Sequence, residues 1–367
     1  MVEMVAAEDT IRIKKKVMKA ITNNAGKTAE IAGLVYVSSN DPGFTRVRNR
    51  EGFFYMDGNR RLRDKKQLER IRKLVLPPAW EDVWICKIPN GHLQATGIDK
   101  SGRKQYKYHT VWMTIRNQTK FFRLLEFGER LPVIRKRIET DLSRPGYPQN
   151  KVLAAMVSLM ERVNIRVGNV FYEKLYGSFG LTTLKDHHVS INGTKLRLMF
   201  RGKKGVTHNI NLANRRLSKI IQGCKDIPGK ELFQYYDEEG VIRSVDSGMV
   251  NDYIRGISGG DFTAKDFRTW AGSIHALLAF REVGPFLSVT EMNKKIPAAL
   301  DLVAEKLGNT RSVCKKYYVH PVIIALYQDG QLDKYLTYLD KAENGRNDDG
   351  YTSEEKILLR ILRSPVN

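Results

Sequence analysis

Residues 187–210 read HHVSINGTKLRLMFRGKKGVTHNI, and this stretch combines three apolar-rich runs with two turn sequences. The runs are His187–Ile191, Leu196–Phe200 and Val206–Ile210, and the turns between them are Asn192-Gly193-Thr194 and Gly202-Lys203-Lys204-Gly205. Glycine-containing turns between short runs of this composition are typical of antiparallel hairpins. The stretch therefore predicts a three-stranded sheet.

The sequence on both sides of this stretch has the three- and four-residue spacing of apolar residues that is typical of helices. Helices are predicted over Phe121–Ile138, Val152–Val167, Leu212–Ile221, Lys265–Phe280 and Thr290–Leu307. In the last helix Thr290 is the expected N-cap, and Gly308 lies just beyond the end, where glycine commonly terminates helices. The small sheet is therefore expected inside a mostly helical domain.

The first third of the chain has a different pattern, in which short β-branched and aromatic runs alternate with turn sequences. This pattern predicts strands at Leu34–Val37, Gly52–Tyr55, Val83–Cys86 and His92–Thr96. One helix is predicted over Lys65–Val75, because two prolines follow it. We therefore expect an α+β fold with an N-terminal extension over residues 1–32, a small β-sheet domain over 33–116 and a larger helical catalytic domain over 117–367.

The composition indicates a globular protein with a polyanionic partner. Lys and Arg outnumber Asp and Glu by 62 to 40, a net charge of +22, while 42% of the residues are hydrophobic. Nucleic acid is the first expectation and an acidic membrane surface the second. The chain has three widely separated cysteines, which suit a reducing compartment better than a disulfide framework. We expect no secretory signal and no membrane insertion, because no apolar run approaches the ~20 residues of a membrane span.

Signals for nucleotide or metal chemistry are weak. The sequence contains no Gly-x-x-x-x-Gly-Lys-Ser/Thr run, the usual cradle for nucleotide phosphates. The segment Lys185-Asp186-His187-His188 contains metal-ligand residue types, but no second acidic or histidine cluster accompanies it. A turn between a helix and a strand is the alternative interpretation that we prefer. We therefore expect no metal and no cofactor.

Basic and aromatic residues alternate along Gly102–His109, which has the pattern of a strand. One face of this strand would carry Arg103, Gln105, Lys107 and His109, and the other Lys104, Tyr106 and Tyr108. Cationic side chains suit DNA phosphates, and glutamine and tyrosine suit base edges. The alternative is a solvated edge strand whose lysines prevent aggregation.

Several motifs follow one another along the second half of the chain. They are Ile165–Asn169, Gly180–Lys185, Phe200–Lys204, Lys265–Thr269, Leu307–Thr310 and Val313–Pro321. In order and approximate spacing they resemble the motifs of the compact type IB DNA topoisomerases of poxviruses and bacteria. Gly102–Tyr108 is similar to the DNA-contacting strand in the N-terminal domain of that family. The resemblance covers about residues 33 to 325.

This resemblance implies a reaction and a set of catalytic residues. Members of the family cleave one strand of duplex DNA through a 3′-phosphotyrosyl intermediate, allow strand rotation and religate, without ATP or metal. Tyr318 matches the nucleophile, and Arg166 and Arg268 match the two arginines that bind the phosphate oxygens. Lys203 matches the general acid that protonates the leaving 5′-oxygen. Asn309 stands where viral members of the family have histidine. Bacterial members commonly have asparagine at this position, and its amide can donate the same hydrogen bond.

The resemblance also implies residues that contact DNA, namely Arg103, Gln105, Tyr106, Tyr108, Tyr172 and Lys265. Asn169 and Phe171 occupy positions that are lysines in poxvirus members. A strong preference for the viral pentapyrimidine cleavage site is therefore not expected. The family further implies a monomer that closes as a C-shaped clamp around double-stranded DNA. We expect an intracellular, DNA-associated protein of the bacterial cytoplasm or nucleoid, with a viral particle or an infected host cell as alternatives.

Two other functions would fit part of these observations. A tyrosine recombinase uses a similar Arg, Lys and Tyr set, but usually carries His-x-x-Arg where this chain has Lys265-Asp266-Phe267-Arg268. A non-enzymatic architectural DNA-binding protein would be explained by the net charge alone. The ordered set of Arg166, Lys203, Arg268 and Tyr318 favours the enzyme over both alternatives.

Overall fold

The computed structural model describes residues 25–50, 52–100, 102, 104–339 and 349–364, apart from the side chains of residues 25, 117, 118, 171, 172 and 204. The chain divides into two compact units, the first ending at Arg123 and the second beginning at Leu124. Most of the extension predicted over residues 1–32 lies outside the described residues. None of the described helices combines the length and apolar character needed to cross a membrane.

The first unit is a small sheet with helices. Its elements are α1 (Ala25–Ile31), β1 (Gly43–Asn49), β2 (Gly52–Asp57), β3 (Arg60–Arg61), α2 (Lys65–Lys73), β4 (Glu81–Cys86), β5 (Leu93–Ile98), β6 (Lys104–Tyr108) and the first part of α3 (Thr110–Leu142). The six strands lie in the order β3-β2-β1-β4-β5-β6, and neighbouring strands are antiparallel. Strand β6 therefore forms one edge of the sheet.

One face of this sheet carries the small core of the unit. Phe44, Ile85 and Ala95 come from three adjacent strands and are buried together with Ile71 of α2. Helix α2 begins as predicted, because the carboxylate of Asp64 accepts hydrogen bonds from the first free backbone N–H groups of the helix. It ends at Lys73, two residues earlier than expected.

The prediction of a strand at Leu34–Val37 is wrong. Only an isolated bridge forms there, between Val35 and Gly91. The backbone N–H of Val37 donates to His92 Nδ1 at 3.1 Å, and the ring of Tyr36 stacks on His92 with centroids 4.3 Å apart. Because a side chain takes the hydrogen bond that a neighbouring strand would provide, the ladder does not continue.

The second unit is mostly helical and contains two small sheets. After α3 its elements are α4 (Gln149–Val163), α5 (Val170–Tyr176), β7 (Val189–Asn192), β8 (Lys195–Arg201), β9 (Thr207–Ala213), α6 (Arg215–Lys225), β10 (Gln234–Tyr236), β11 (Ile242–Ser244), α7 (Ser247–Ser258), α8 (Ala264–Val283), α9 (Val289–Leu307), α10 (Arg311–Tyr317), α11 (Pro321–Gln328), α12 (Asp333–Leu336) and α13 (Ser353–Arg363). The sequence patterns do not predict α1, α5, α7, α10, α11 or the β10–β11 hairpin. Together with the first unit, these elements confirm the α+β class.

The predicted three-stranded sheet is confirmed as β7-β8-β9, with both pairs antiparallel. Along β8, Leu196, Leu198 and Phe200 are buried while the intervening residues are exposed, as expected for a sheet with one face on the core. The second turn is a short 3₁₀ segment, Lys203–Gly205, closed by a hydrogen bond from Gly202 N–H to the Val206 carbonyl at 2.7 Å.

Helix α4 runs through the centre of the second unit, and every residue from Val152 to Met160 is buried. The predicted end at Val167 is wrong, because Asn164 adopts the left-handed conformation with φ of 55° and terminates the helix. The chain that follows is extended instead. Leu181 and Thr182 donate backbone hydrogen bonds to the carbonyls of Arg166 and Val167, at 2.9 and 2.8 Å.

The boundaries of α9 differ from the prediction at one end only. Ser288 rather than Thr290 caps the N-terminus, since its hydroxyl accepts a hydrogen bond from the N–H of Glu291. Gly308 ends the helix in the left-handed conformation, with φ of 56°, which confirms the expected C-terminal glycine.

Helix α13 is fastened to the core by a buried ion pair. The guanidinium group of Arg135 donates to both carboxylate oxygens of Glu355, at 2.9 and 2.6 Å, and to Glu161 at 2.7 Å. The indole N–H of Trp270 in α8 donates to Glu355 at 3.1 Å. Burial alone would raise the pKa of Glu355, but the hydrogen bonds and charge of Arg135 hold it below its ordinary value.

We predict that Glu355→Gln destabilises the protein by about 3 kcal/mol at pH 7, because the buried Arg135 loses part of its compensation. The loss would be measured as a lower urea midpoint, with Glu354→Gln on the same helix as control. Because the pKa of Glu355 is depressed in the folded state, its contribution is present above the ordinary pKa of about 4.3 and is lost as pH falls. An equal destabilisation at pH 7 and pH 3 would contradict the ion-pair explanation.

Candidate functional site

Arg268 occupies the centre of the candidate site. It lies in the second turn of α8 and is 5% exposed. Its guanidinium group donates to the carbonyl of Asn164, at the end of α4, and to the carbonyl of Leu307, the last residue of α9, at 2.8 Å for the latter. Carbonyl groups at helix C-termini lack helical partners and carry partial negative charge. They therefore hold this cation without a carboxylate.

Arg166 lies beside Arg268 in the extended segment that follows α4. Its Nη2 donates to the carbonyl of Gly308 at 3.1 Å and to Oδ1 of Asn309 at 2.5 Å. Burial, reinforced by the charge of Arg268, lowers the pKa of Arg166 to about 10. The group is still cationic at neutral pH, and its lowered pKa reports the electrostatic cost of bringing two cations together.

Two glycines allow the Arg166 segment to take its position. A Cβ atom on Gly180 would lie 2.5 Å from the Cα atom of Gly168, closer than real carbon atoms approach. Gly168 also has φ of 93°, a conformation that suits only glycine. The motifs Ile165–Asn169 and Gly180–Lys185 are therefore two neighbouring backbone segments that meet at these glycines.

Asn309 contributes an oriented amide to the site. Because its Oδ1 accepts from Arg166, its Nδ2 is left as a donor. Both Asn309 Nδ2 and Arg268 Nε are buried, and neither has a hydrogen-bond acceptor among the described residues. Among the described residues, no Asp or Glu side chain forms an ion pair with Arg166 or Arg268. Buried donors and cations without an anion are the features of an anion-binding site.

Tyr318 immediately follows α10, and its ring lies under Arg268, with the guanidinium carbon 5.2 Å from the ring centroid. The ring of Tyr317, by contrast, lies beside Lys316, at 5.6 Å. A Cβ atom on Gly272 would lie 2.6 Å from the Tyr318 carbonyl oxygen, so this glycine allows α8 and the tyrosine backbone to approach. The structure thus associates the buried arginine with the second tyrosine of the pair.

Cys314, one helical turn before Tyr318, is fully buried, and burial raises the pKa of its thiol to about 11. The thiol is therefore protonated at neutral pH and is a poor nucleophile.

Lys203 is exposed at the start of the turn between β8 and β9. The residue before it, Gly202, lies against the ring of His208, and the same ring lies against Gly308. The sequence patterns do not single out His208, because its contacts with two glycines of the motifs form only in the folded chain. The remaining four catalytic candidates, Arg166, Arg268, Asn309 and Tyr318, are grouped by the contacts described above.

The predicted DNA-contacting residues lie in both units. In β6 the rings of Tyr106 and Tyr108 stack with centroids 6.0 Å apart, so they share a face as the alternation predicts. Gln105 donates from its amide to Asp99 at 2.8 Å. Arg103 lies outside the described residues, and so does the side chain of Tyr172. Lys265 is exposed in α8, three residues before Arg268 and thus on the same side of the helix.

The segment Lys185–His188 forms a 3₁₀ turn that leads into β7. Lys185 forms ion pairs with Glu173 at 2.8 Å and with Glu231 at 3.2 Å. Over the described ranges of the chain, no group of three or more His, Cys, Asp or Glu residues is placed to hold a metal ion.

Comparison with known proteins gives matches over both units. A family model described as the catalytic core of eukaryotic DNA topoisomerase I matches residues 102–344. A second model, the N-terminal domain of bacterial DNA topoisomerase IB, matches residues 52–99. The first model covers well over half of the chain, and the second agrees with the expected bacterial pattern.

Curated viral proteins are similar as well. DNA topoisomerase 1B of Acanthamoeba polyphaga mimivirus is 33% identical over 319 residues, which cover 85% of this chain and 91% of the relative. DNA topoisomerase I of monkeypox virus is 25% identical over 64% of this chain and 72% of its own length. DNA topoisomerase 1 of rabbit fibroma virus is 26% identical over 64% and 73%. By these matches and by its motifs, the chain belongs to the type IB DNA topoisomerases.

Proposed function

We propose that this topoisomerase relaxes supercoiled DNA with Tyr318 as nucleophile and Arg166, Arg268, Asn309 and Lys203 as its catalytic partners. The observation that carries this assignment is the position of the Arg268 guanidinium group over the Tyr318 ring, beside buried donors that have no acceptor in the described structure. A DNA phosphodiester is an anion of suitable size for these donors.

In the proposed cleavage step, the phenolic oxygen of Tyr318 loses its proton to solvent and forms a bond to the scissile phosphorus while the bond to the 5′-oxygen breaks. Negative charge on the non-bridging oxygens grows in the transition state. Arg166, Arg268 Nε and Asn309 Nδ2 would donate hydrogen bonds to those oxygens, and donors fixed before the reaction need no reorganisation. This arrangement explains why planar guanidinium groups suit both positions.

The leaving 5′-oxygen is strongly basic and must receive a proton. Lys203 would supply it, since this residue is exposed and the glycine before it lies against the same His208 ring as Gly308. Religation is the reverse reaction: the 5′-hydroxyl returns its proton to Lys203 and attacks the phosphorus, and the Tyr318 oxygen leaves and regains a proton from solvent. The phosphodiester is exchanged for a phosphotyrosyl ester, so the bond is retained and supercoiling supplies the driving force.

DNA contacts from both units are part of the proposal. Exposed Tyr106 and Lys104 on the edge strand β6 and exposed Lys265 on α8 support them. The family resemblance supports the further proposals that the protein acts as a monomeric clamp on double-stranded DNA, without nucleotide or metal. The match to a bacterial N-terminal domain supports action on DNA in a bacterial cytoplasm or nucleoid.

We predict that Tyr318→Phe abolishes plasmid relaxation in EDTA without ATP and also abolishes the covalent protein–DNA adduct trapped with detergent. The variant loses only the attacking oxygen, so DNA binding should be unchanged. Tyr317→Phe is the matched control and should be active. Loss of activity only in Tyr317→Phe would move the nucleophile by one residue. Binding without relaxation by the wild type would instead indicate an architectural DNA-binding protein.

We predict that Arg268→Lys slows single-turnover cleavage by about 100-fold or more, with little effect on DNA affinity. A lysine cannot bond both helix-terminal carbonyls and the phosphate, and loss of one such donor typically costs about 10²–10³ in rate. Arg255→Lys, the same change at the surface of α7, is the control. A thermal melt tests whether the variant is folded. An unchanged cleavage rate in folded Arg268→Lys would exclude the proposed role.

We predict that DNA affinity falls steeply with salt, because each phosphate neutralised contributes a slope of about −0.9 to the plot of log K against log salt. Lys265→Ala should lower the magnitude of this slope by about one. Lys356→Ala, on α13, should leave it unchanged. Binding measured by fluorescence anisotropy over a salt series tests both expectations, and a flat salt dependence would contradict contacts to phosphates.

A further inference from the structure

We propose that His208 is a positioning residue for the general acid, and that its ring holds the Lys203 turn against the Gly308–Asn309 segment. This inference rests on the proposed roles of Lys203 and Asn309. It adds a residue to the reaction that neither the motifs nor the comparisons point to.

The ring of His208 is fixed from one side by Phe200. The two residues are directly opposite each other in the β8–β9 pair, and their rings stack with centroids 4.8 Å apart and planes 18° from parallel. Cross-strand contacts of this kind restrict the side-chain rotamer. The orientation of the imidazole is therefore set by the sheet.

Two glycines lie at the edges of the ring. A Cβ atom on Gly202 would lie 2.6 Å from Cδ2 and Nε2 of His208, and one on Gly308 would lie 2.8 Å from Cε1. Gly202 has φ of −93°, which other residues adopt easily. Its backbone conformation does not require glycine, so the space occupied by the histidine ring explains why a side chain is excluded there.

The two glycines that contact the His208 ring are sequence neighbours of two proposed catalytic residues. Gly202 directly precedes Lys203, and Gly308 directly precedes Asn309. Backbone hydrogen bonds from Gly202 to Val206 at 2.7 Å and from Gly205 to Gly202 at 3.1 Å make the turn a closed unit. One ring thus packs against the backbone just before the proposed general acid and just before the proposed phosphate ligand.

The charge state of the ring suits this role. Burial, together with the nearby charges of Arg166 and Arg268, lowers the pKa of His208. The imidazole is therefore neutral at pH 7 and adds no third cation to the two arginines. It acts through Lys203 and does not itself supply the proton in this proposal.

The test uses two DNA substrates that differ only at the leaving atom, one with the natural 5′-oxygen and one with a bridging 5′-sulfur. A thiolate leaves without protonation, so the sulfur substrate does not need a general acid. We expect His208→Ala to slow single-turnover cleavage of the oxygen substrate by about 10- to 100-fold, at or below the usual contribution of a general acid. On the sulfur substrate its rate should be within about threefold of wild type, since general-acid catalysis is bypassed.

Gly202→Ala is a second variant with the same expected pattern, because its Cβ would displace the ring or the turn without removing the histidine. His187→Ala, an exposed histidine before β7, is the control and should cleave both substrates at the wild-type rate. Thermal melts and DNA affinity confirm that each variant is folded. Equal slowing on both substrates, or no slowing at all, would overturn the inference.

Lys203→Ala separates this inference from the proposed function. If sulfur restores cleavage by Lys203→Ala but not by His208→Ala, the general-acid assignment stands and the positioning role of His208 fails. If sulfur does not restore cleavage by Lys203→Ala, the assignment of Lys203 fails, and the inference fails with it.

Discussion

The hydrogen bonds from Arg268 to the C-terminal carbonyls of α4 and α9 organise the site, because they tie the ends of two helices to a third. A buried cation is normally compensated by a carboxylate, which would also neutralise it toward any other anion. Helix-terminal carbonyls supply only partial charge and leave the guanidinium group able to bind a phosphate. In the described residues Arg166 is held in the same way, by the Gly308 carbonyl and the Asn309 amide. Both arginines thus keep positive charge that no carboxylate of the described residues neutralises.

Glycines make this compact arrangement possible at places where backbone must approach backbone or a ring. Gly272 brings α8 against the Tyr318 backbone, and Gly180 brings its own segment against the one that carries Arg166. At Gly202 the neighbouring group is an imidazole. In each case a Cβ atom would lie closer than 3.0 Å to its neighbour, so one of the two groups would have to shift. A misplacement of about 1 Å can cost about 10²-fold in rate, so close packing at these glycines matters for fixed hydrogen-bond donors.

Hydrogen bonds to a buried carboxylate also hold α8, the helix that carries Arg268. Trp270, two residues further along α8, donates to Glu355, which Arg135 binds through two hydrogen bonds. Helix α13 therefore belongs to the core of the second unit. These hydrogen bonds link α3, α8 and α13, and a buried ion pair of this kind is costly to break even where it is not stabilising overall.

Local patterns in the sequence determined the α+β class, the three-stranded sheet, the four longest described helices and the order of the motifs, because the spacing of apolar residues and the turn residues act over a few positions. Tertiary structure decided the rest. Helix α4 ends at Asn164 because the next residues pair with a segment about fifteen positions away, and Leu34–Val37 is not a strand because His92 takes its hydrogen bond. The Arg166–Asn309 contact spans 143 positions, and the place of His208 depends on two glycines from different elements. Such partners meet only in the folded chain, so no local pattern specifies them.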